Sequence, residues 1–282
     1  MMVSAPRSAV VPHAVLIAGI VLVLFPLFVA FVAACDTLPD ILSAPMSLVP
    51  GPHFFHNLAE ALLAGTAKTS GQPVWSMMLN SLVMALAIAA GKIAISVPSA
   101  YAVVFFRFPL RRPCFWAIFV TLMLPVEVRI LPTYKITADL HLINTYAGLT
   151  LPLIASATAT LLFRQFFLTI PDELVEAAKI DGAGPWRFLV DTVIPLSKTN
   201  IAALFVILFI YGWNQYLWPL LVTDTPSMTT IVIGMRQMIG NGDTQTEWQL
   251  IMATALLAIL PPVAVVVLMQ RWFVKGLVET EK

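Results

Sequence analysis

LIMATALLAILPPVAVVVLM, residues 250–269, is twenty residues long and carries no charge. At 1.5 Å per residue, about twenty helical residues cross the roughly 30 Å hydrocarbon core of a bilayer. A helix at the surface of a soluble protein keeps one polar face, and this stretch has none. Outward from it, five more long apolar segments lie at about 11–34, 77–103, 113–132, 143–163 and 201–223. Only His13 interrupts the run from Val10 to Ala34, whereas the uncharged part of the third segment, Pro113–Val126, is short and ends in Glu127 and Arg129. These runs are continuous, while strands of a membrane barrel alternate polar and apolar over about ten residues. The expected fold is an all-α membrane protein, a single domain over 1–282 with six transmembrane helices.

Composition and charge placement agree with this. Of 282 residues, 59% are hydrophobic and 11% charged, against about 25% charged in soluble domains. Sixteen basic and fifteen acidic residues nearly cancel, so net charge gives no ground for nucleic-acid binding. With the N-terminus inside, eleven of the sixteen Lys and Arg fall in cytoplasmic segments, among them Arg107, Arg111, Arg112, Arg164, Lys179 and Arg187. Cationic loops stay on the cytoplasmic side, so both termini are expected there. Cys35 and Cys114 then lie on opposite sides and cannot pair. Val32-Ala33-Ala34-Cys35 resembles the cleavage and lipidation site of bacterial lipoproteins. The apolar run before it is about 25 residues, against 7–15 in a signal peptide, and the expectation is a first transmembrane helix ending in small residues.

The loops differ in character. Residues 35–76 form a long, turn-rich outer segment, 133–142 a short one, and 224–249 a third in which Gly234, Gly240, Asn241 and Gly242 predict flexibility. On the inside, residues 164–200 make a 37-residue excursion. It contains Thr169-Ile170-Pro171-Asp172-Glu173-Leu174-Val175-Glu176-Ala177-Ala178-Lys179-Ile180-Asp181-Gly182 and then Gly184-Pro185-Trp186-Arg187-Phe188. Pro171 with Asp172 and Glu173 signals a helix start, Gly182 a stop, and Pro185 a second start. Two short helices joined by a glycine turn follow. Isolated helices under about 12–15 residues are marginal in water, so these two must pack on something. An ordinary hairpin resting on the membrane interface satisfies that need. So does a docking knob, because Ala177, Ala178 and Gly182 permit close approach while Glu176 and Asp181 offer charge at its edge.

Glu176-Ala177-Ala178-Lys179-Ile180-Asp181-Gly182-Ala183, followed by Pro195-Leu196, resembles the EAA loop of ABC-importer permeases. It departs from the family pattern at Thr192, Ile194 and Thr199, which bears on where the second helix ends. Ser99-Ala100-Tyr101-Ala102 with Arg107-Phe108-Pro109-Leu110-Arg111 is similar to the end of the second helix in sugar-type importer permeases. Leu122–Arg129, Tyr146–Phe167 and Tyr211-Gly212-Trp213-Asn214-Gln215-Tyr216-Leu217-Trp218-Pro219 extend the likeness to permeases that import sn-glycerol-3-phosphate. The resemblance covers nearly the whole chain and implies a type I ABC-importer permease in a bacterial inner membrane. It implies a homologous second permease subunit as heterodimer partner, two ATPase subunits and a periplasmic substrate-binding protein. ATP and Mg would be bound by the ATPase, and no cofactor by this chain. Glu176, Ala177, Ala178, Asp181 and Gly182 would then form the coupling helix. Gly234, Gly240, Asn241 and Gly242 would lie in a loop that reaches into the binding protein; a plain connector is the other reading. The implied substrate is sn-glycerol-3-phosphate or a glycerophosphodiester, with a neutral sugar or oligosaccharide as the alternative.

Ionisable groups at membrane depth cost several kcal/mol and point to function. Lys92 sits near the middle of the second span, where it can attract an anionic phosphate, bond a neighbouring helix or snorkel. Glu127 and Arg129, two residues apart, would point to different sides of a regular helix, although Pro125 interrupts the span just before them. They line a pathway or make structural bonds. Asn214, Gln215 and Tyr216 can hydrogen-bond substrate hydroxyls or join helices.

Other functions find little in the sequence. There is no Gly-x-x-x-x-Gly-Lys-Ser/Thr phosphate loop, no His-Glu-x-x-His pair and no Gly-x-Ser-x-Gly elbow. His13, His53, His56 and His141 are scattered, so no metal site is expected. A self-sufficient secondary transporter should carry paired repeats and midplane acids, and Glu127 alone is thin support for one.

Overall fold

The computed structural model describes residues 10–66, 69–121, 124–240 and 246–279. All regular structure among them is helical. The chain divides into two compact units, Met1–Trp75 with Gly234–Ile259, and Ser76–Ile233 with Leu260–Lys282.

In the first unit, α1 (Val10–Cys35) is a single helix. Large apolar side chains from Val11 to Phe28 lie exposed along it, while Val32 to Cys35 are buried. Apolar surface of that extent without protein cover is stable only against another apolar phase. The expected turn-rich segment follows, with α2 (Leu38–Leu42) and α3 (Phe54–Leu63) inside it. The buried Asn57 amide of α3 donates to the Ala34 and Asp36 carbonyls at 2.9 Å each, satisfying backbone oxygens at the end of α1. Phe31 packs on Phe54, ring centroids 5.3 Å apart.

The second unit starts from α4 (Val74–Phe105), which passes Pro98 without breaking. The third expected span, 113–132, is not one helix. It is α5 (Arg111–Val120) and α6 (Val126–Asp139), with Pro125 extended as the residue before α6. Proline lacks the donor a helix needs and drives the residue before it out of helical conformation. The fourth, expected over 143–163, begins later. Thr145 caps α7 (Tyr146–Thr150) by accepting the Gly148 N–H. A 3₁₀ turn at Leu151–Leu153 containing Pro152 follows, and α8 (Ala157–Phe167) departs at 48°.

The excursion over 164–200, expected on the cytoplasmic side, holds α9 (Asp172–Ile180), α10 (Pro185–Phe188), a π turn at Leu189–Val193 and α11 (Ile194–Leu196). At Ser197 the chain bends by 73° into α12 (Lys198–Trp213). The fifth expected span, 201–223, breaks at 214–216 before α13 (Leu217–Val222). The third loop expected on the outside, 224–249, is not uniformly flexible. Residues Ile231–Ile239 form α14 and Gly234 is buried within it. Gly240 follows at φ +68°, while Asn241 and Gly242 lie outside the described residues. The last helix, α15 (Trp248–Glu279), contains the opening stretch of sequence whole.

Three helices among the described residues are long and apolar enough to cross a membrane unbroken: Val11–Cys35, Val74–Phe105 and Trp248–Gln270. Two bent pairs, Tyr146–Leu153 with Ala157–Phe167 and Pro185–Leu196 with Lys198–Trp213, pass the same test together.

Candidate functional site

The hairpin at 172–188 is built by local chemistry. Pro171 stands extended before α9, Asp172 and Glu173 fill its first turn, and Lys179 sits in its last. Each charge matches the helix dipole at its own end. Gly182 at φ +70° lets the Gly182 N–H reach the Lys179 carbonyl at 3.1 Å and the Ala183 N–H reach that of Ala178 at 2.8 Å. This paired arrangement uses up carbonyls that a helix end otherwise leaves free.

One side of the hairpin is anchored. Phe188 and Leu189 are buried with Val97, Ala100 and Tyr101 of α4, Phe163 and Phe167 of α8, and Leu204 of α12. Val175 and Ala178 of α9 pack against the same cluster, so Ala178 faces inward. The rings of Phe105 and Phe188 meet edge to face at 5.5 Å, and Tyr101 lies 6.4 Å from Phe188. The Tyr101 hydroxyl donates to the Pro185 carbonyl at 2.7 Å. The C-terminal end of α4 is thereby joined to the start of α10 by a polar bond inside an apolar socket.

The other side is bare. Glu176, Ala177, Asp181 and Gly182 are exposed, Ile180 is 86% exposed and Trp186 72%. Two large apolar side chains projecting beside two carboxylates make a surface suited to a partner.

A polar group lies deeper. Lys92 of α4 is 7% exposed, and its ammonium sits 3.8 Å from the ring centroid of Tyr211 on α12. This contact stabilises a buried cation by the ring's negative face. The Arg129 guanidinium is close enough to act electrostatically on Lys92. The crossing of α4 and α12 is tight here: a Cβ on Gly212 would lie 2.9 Å from the Ala85 Cα. On α4 a Cβ at Gly91 would likewise meet the Ile154 side chain, before α8, at 2.6 Å. Asn214 and Tyr216 are exposed at the break after α12, where the Gln215 amide donates to the Tyr211 carbonyl at 3.1 Å. The structure thus brings Lys92 against Tyr211, with the Arg129 charge acting on it, while Asn214, Gln215 and Tyr216 follow at the break after α12. Glu127 lies in the first turn of α6, and its side chain is outside the described residues.

Residues 92–279 match the family described as the binding-protein-dependent transport system inner membrane component. The chain belongs to that family. This inner membrane component is 63% identical to the sn-glycerol-3-phosphate transport system permease protein UgpE of Agrobacterium fabrum, over 98% of each chain. It is 64% identical to the protein of the same description from Rhizobium meliloti, again over 98% of each, and 60% identical to that of Yersinia pestis over 96% of each. Among solved structures it is similar to a bacterial ABC transporter involved in the import of the acidic polysaccharide alginate. The TM-score is 0.82 at 20% identity, over 96% of this chain and 100% of that one. The fold is therefore that of an ABC permease.

Several contacts of this inner membrane component are not apparent from sequence. Tyr101 stood out only as part of a likeness at the end of the second span, and its bond to Pro185 joins residues 84 positions apart. Tyr211 gave no signal as a partner of Lys92. The Asn80 side chain, which donates to the Ser227 and Thr229 carbonyls at 2.8 and 2.9 Å and accepts from the Tyr146 hydroxyl at 2.6 Å, looks in sequence like one polar residue in an apolar run.

Proposed function

We propose that this permease forms half of the membrane pathway of an ATP-driven importer for sn-glycerol-3-phosphate or glycerophosphodiesters, and that a separate ATPase drives it through the hairpin at 172–188. The observation that carries the proposal is the two-sidedness of that hairpin. Its inner side is fixed to α4, α8 and α12 by the Phe188 socket and the Tyr101–Pro185 bond, while Glu176, Ile180 and Trp186 are offered outward. A rigid knob seated in a moving partner transmits displacement to whatever it is anchored on. Here that is three helices at once.

In this reading the chain crosses the inner membrane six times with both termini cytoplasmic, beside a homologous permease subunit and above two ATPase subunits that bind ATP and Mg. A periplasmic binding protein delivers substrate, and Gly234, Gly240, Asn241 and Gly242 belong to the loop that meets it. An anionic substrate is supported by two cations, the buried Lys92 and the exposed Arg129, whose charges act on one another. It is also what the names of the relatives from Agrobacterium, Rhizobium and Yersinia describe for those proteins. Asn214, Gln215 and Tyr216 supply hydrogen bonds to the glycerol hydroxyls. Glu127 belongs with Arg129 at the start of α6.

The test is uptake by membranes carrying this chain with its partner permease, ATPase and binding protein. ATP-dependent accumulation of radiolabelled sn-glycerol-3-phosphate is expected, with Glu176→Lys abolishing it while membrane insertion stays normal. Normal uptake by that variant would sink the coupling role. Uptake of a neutral sugar that is unaffected by excess glycerol phosphate would overturn the substrate.

A further inference from the structure

Where α4 ends and α5 begins, a cavity of about 930 Å³ opens between Arg107, Arg111, Arg112, Phe115 and Trp116 on one side and Arg164 of α8 on the other. Four guanidinium groups share its wall. Neither of the two ion pairs found among the described residues involves any of them. The sequence offers no local remedy, since no Asp or Glu occurs over residues 61–126 or 140–171.

The setting makes this charge harder to hold. Arg111 and Arg112 occupy the first turn of α5, which has no acidic residue and no side-chain cap. The N-terminal end of a helix is its positive end, where cations are unfavourable and anions favourable. Two of the four arginines have a contact of their own. The Arg164 guanidinium lies 4.3 Å from the centre of the Phe115 ring, and Arg111 donates to the Phe106 carbonyl at 3.4 Å. Arg111 and Arg112 lie at the positive end of α5, Arg107 follows the end of α4 and Arg164 is in the last turn of α8; four like charges around one cavity form an arrangement that a bound anion would complete.

Residue type narrows the anion. All four cations are arginine, whose planar fork matches two oxygens of a phosphate group, where lysine offers only a point charge. The cavity is larger than a bare phosphate needs and has the volume of a small-molecule site. Trp116 at its rim is 59% exposed, on a helix that continues as Phe115 to Val120 with no further charge. An exposed tryptophan beside basic groups at the end of an apolar helix is the side-chain pattern of a membrane interface. Basic pockets between helices at that level hold anionic lipid headgroups.

We propose that the cavity walled by Arg107, Arg111, Arg112 and Arg164 binds a phosphate-bearing anion, supplied by the headgroup of an anionic phospholipid or by a soluble phosphate. This site is separate from the Lys92 region and from the hairpin, and it does not depend on which substrate is carried.

The experiment uses the full chain with its partner subunits, purified in detergent. Native mass spectrometry follows retention of phosphatidylglycerol against phosphatidylcholine, and thermal unfolding is followed in parallel with inorganic phosphate. At about 1 kcal/mol for each basic group near an anionic headgroup, the double variant R111Q/R112Q should lose about thirtyfold in preference for phosphatidylglycerol. R111K/R112K should keep much of it, because charge is retained. R107Q, altered in the irregular segment 106–108 where no helix is disturbed, gives a third measure and serves if the double variant fails to fold. Phosphatidylglycerol preference lost in the Gln variants supports the site with a lipid source. Stabilisation by inorganic phosphate, lost in the same variants and without lipid preference, supports it with a soluble source. Equal retention of both lipids in wild type and variants, together with no effect of phosphate, overturns the proposal.

Discussion

Tyr101→Phe deletes one hydroxyl from the socket beneath the hairpin and leaves the rest of the side chain in place. The lost bond is the 2.7 Å donation to the Pro185 carbonyl. That carbonyl also accepts the backbone N–H of Leu189, so no buried oxygen is left without a partner and no added desolvation penalty applies. The ring contacts persist, at 5.2 Å to Phe105, 5.5 Å to Phe106 and 6.4 Å to Phe188. The expected loss is therefore that of one net hydrogen bond, about 1 kcal/mol, or about fivefold in the equilibrium for lifting α10 off the socket. Hydrogen–deuterium exchange of the reconstituted permease reads this directly, through the amides of Phe188 and Leu189 that bond the Gly184 and Pro185 carbonyls. Those two should exchange about fivefold faster in the variant while amides of α1 keep their rates. Tyr101→Ala, which removes the ring as well, should cost about 3–5 kcal/mol and loosen the whole cluster. Unchanged exchange at Phe188 and Leu189 in Tyr101→Phe would show that the bond does not hold the hairpin, and the anchoring argument would fall with it.

Three further outcomes are expected. Gly182→Ala places a side chain at φ +70° where nothing lies within 4 Å, so its penalty is purely conformational, about 1 kcal/mol. It should speed exchange at Ala183 and lower transport without altering expression; exchange left as in wild type would contradict this. Gly212→Val drives a Cβ to 2.9 Å from the Ala85 backbone, where no rotamer change gives relief, and should lower the unfolding midpoint by an amount corresponding to about 1–3 kcal/mol. A midpoint equal to wild type would show that α4 and α12 do not cross so closely. Lys92→Met removes the buried cation and its contact with Tyr211, worth about 2 kcal/mol where it is desolvated. Uptake of an anionic substrate should nevertheless fall by an order of magnitude or more; full uptake would make Lys92 a structural group.

The hairpin was legible in sequence because it is made of local interactions. Pro171, Asp172, Glu173, Lys179 and Gly182 each act within a turn of their own position, and helix starts and stops obey short-range rules. Span breaks were less legible. Pro125 and Pro152 both lie between α-helices, yet Pro98 lies inside α4 and Pro261 and Pro262 inside α15 without ending either. Whether a proline breaks a helix depends on whether neighbouring packing holds the chain straight. Sequence does not carry that information. Gly234 misled for the same reason: glycine permits flexibility, but burial inside α14 removes it.

By itself the sequence determined that the chain lives in a membrane, because charge-free runs such as 250–269 leave apolar surface no other stable environment. It also determined that a short helical elbow with a glycine corner stands at 172–188. Only the tertiary structure decided which face of that elbow is held and which is free, and that Lys92 rests on Tyr211. The same holds for the gathering of four arginines from two distant segments around one cavity. Those facts depend on contacts between residues tens of positions apart, and residue pattern constrains such distances only after the helices have chosen how to pack.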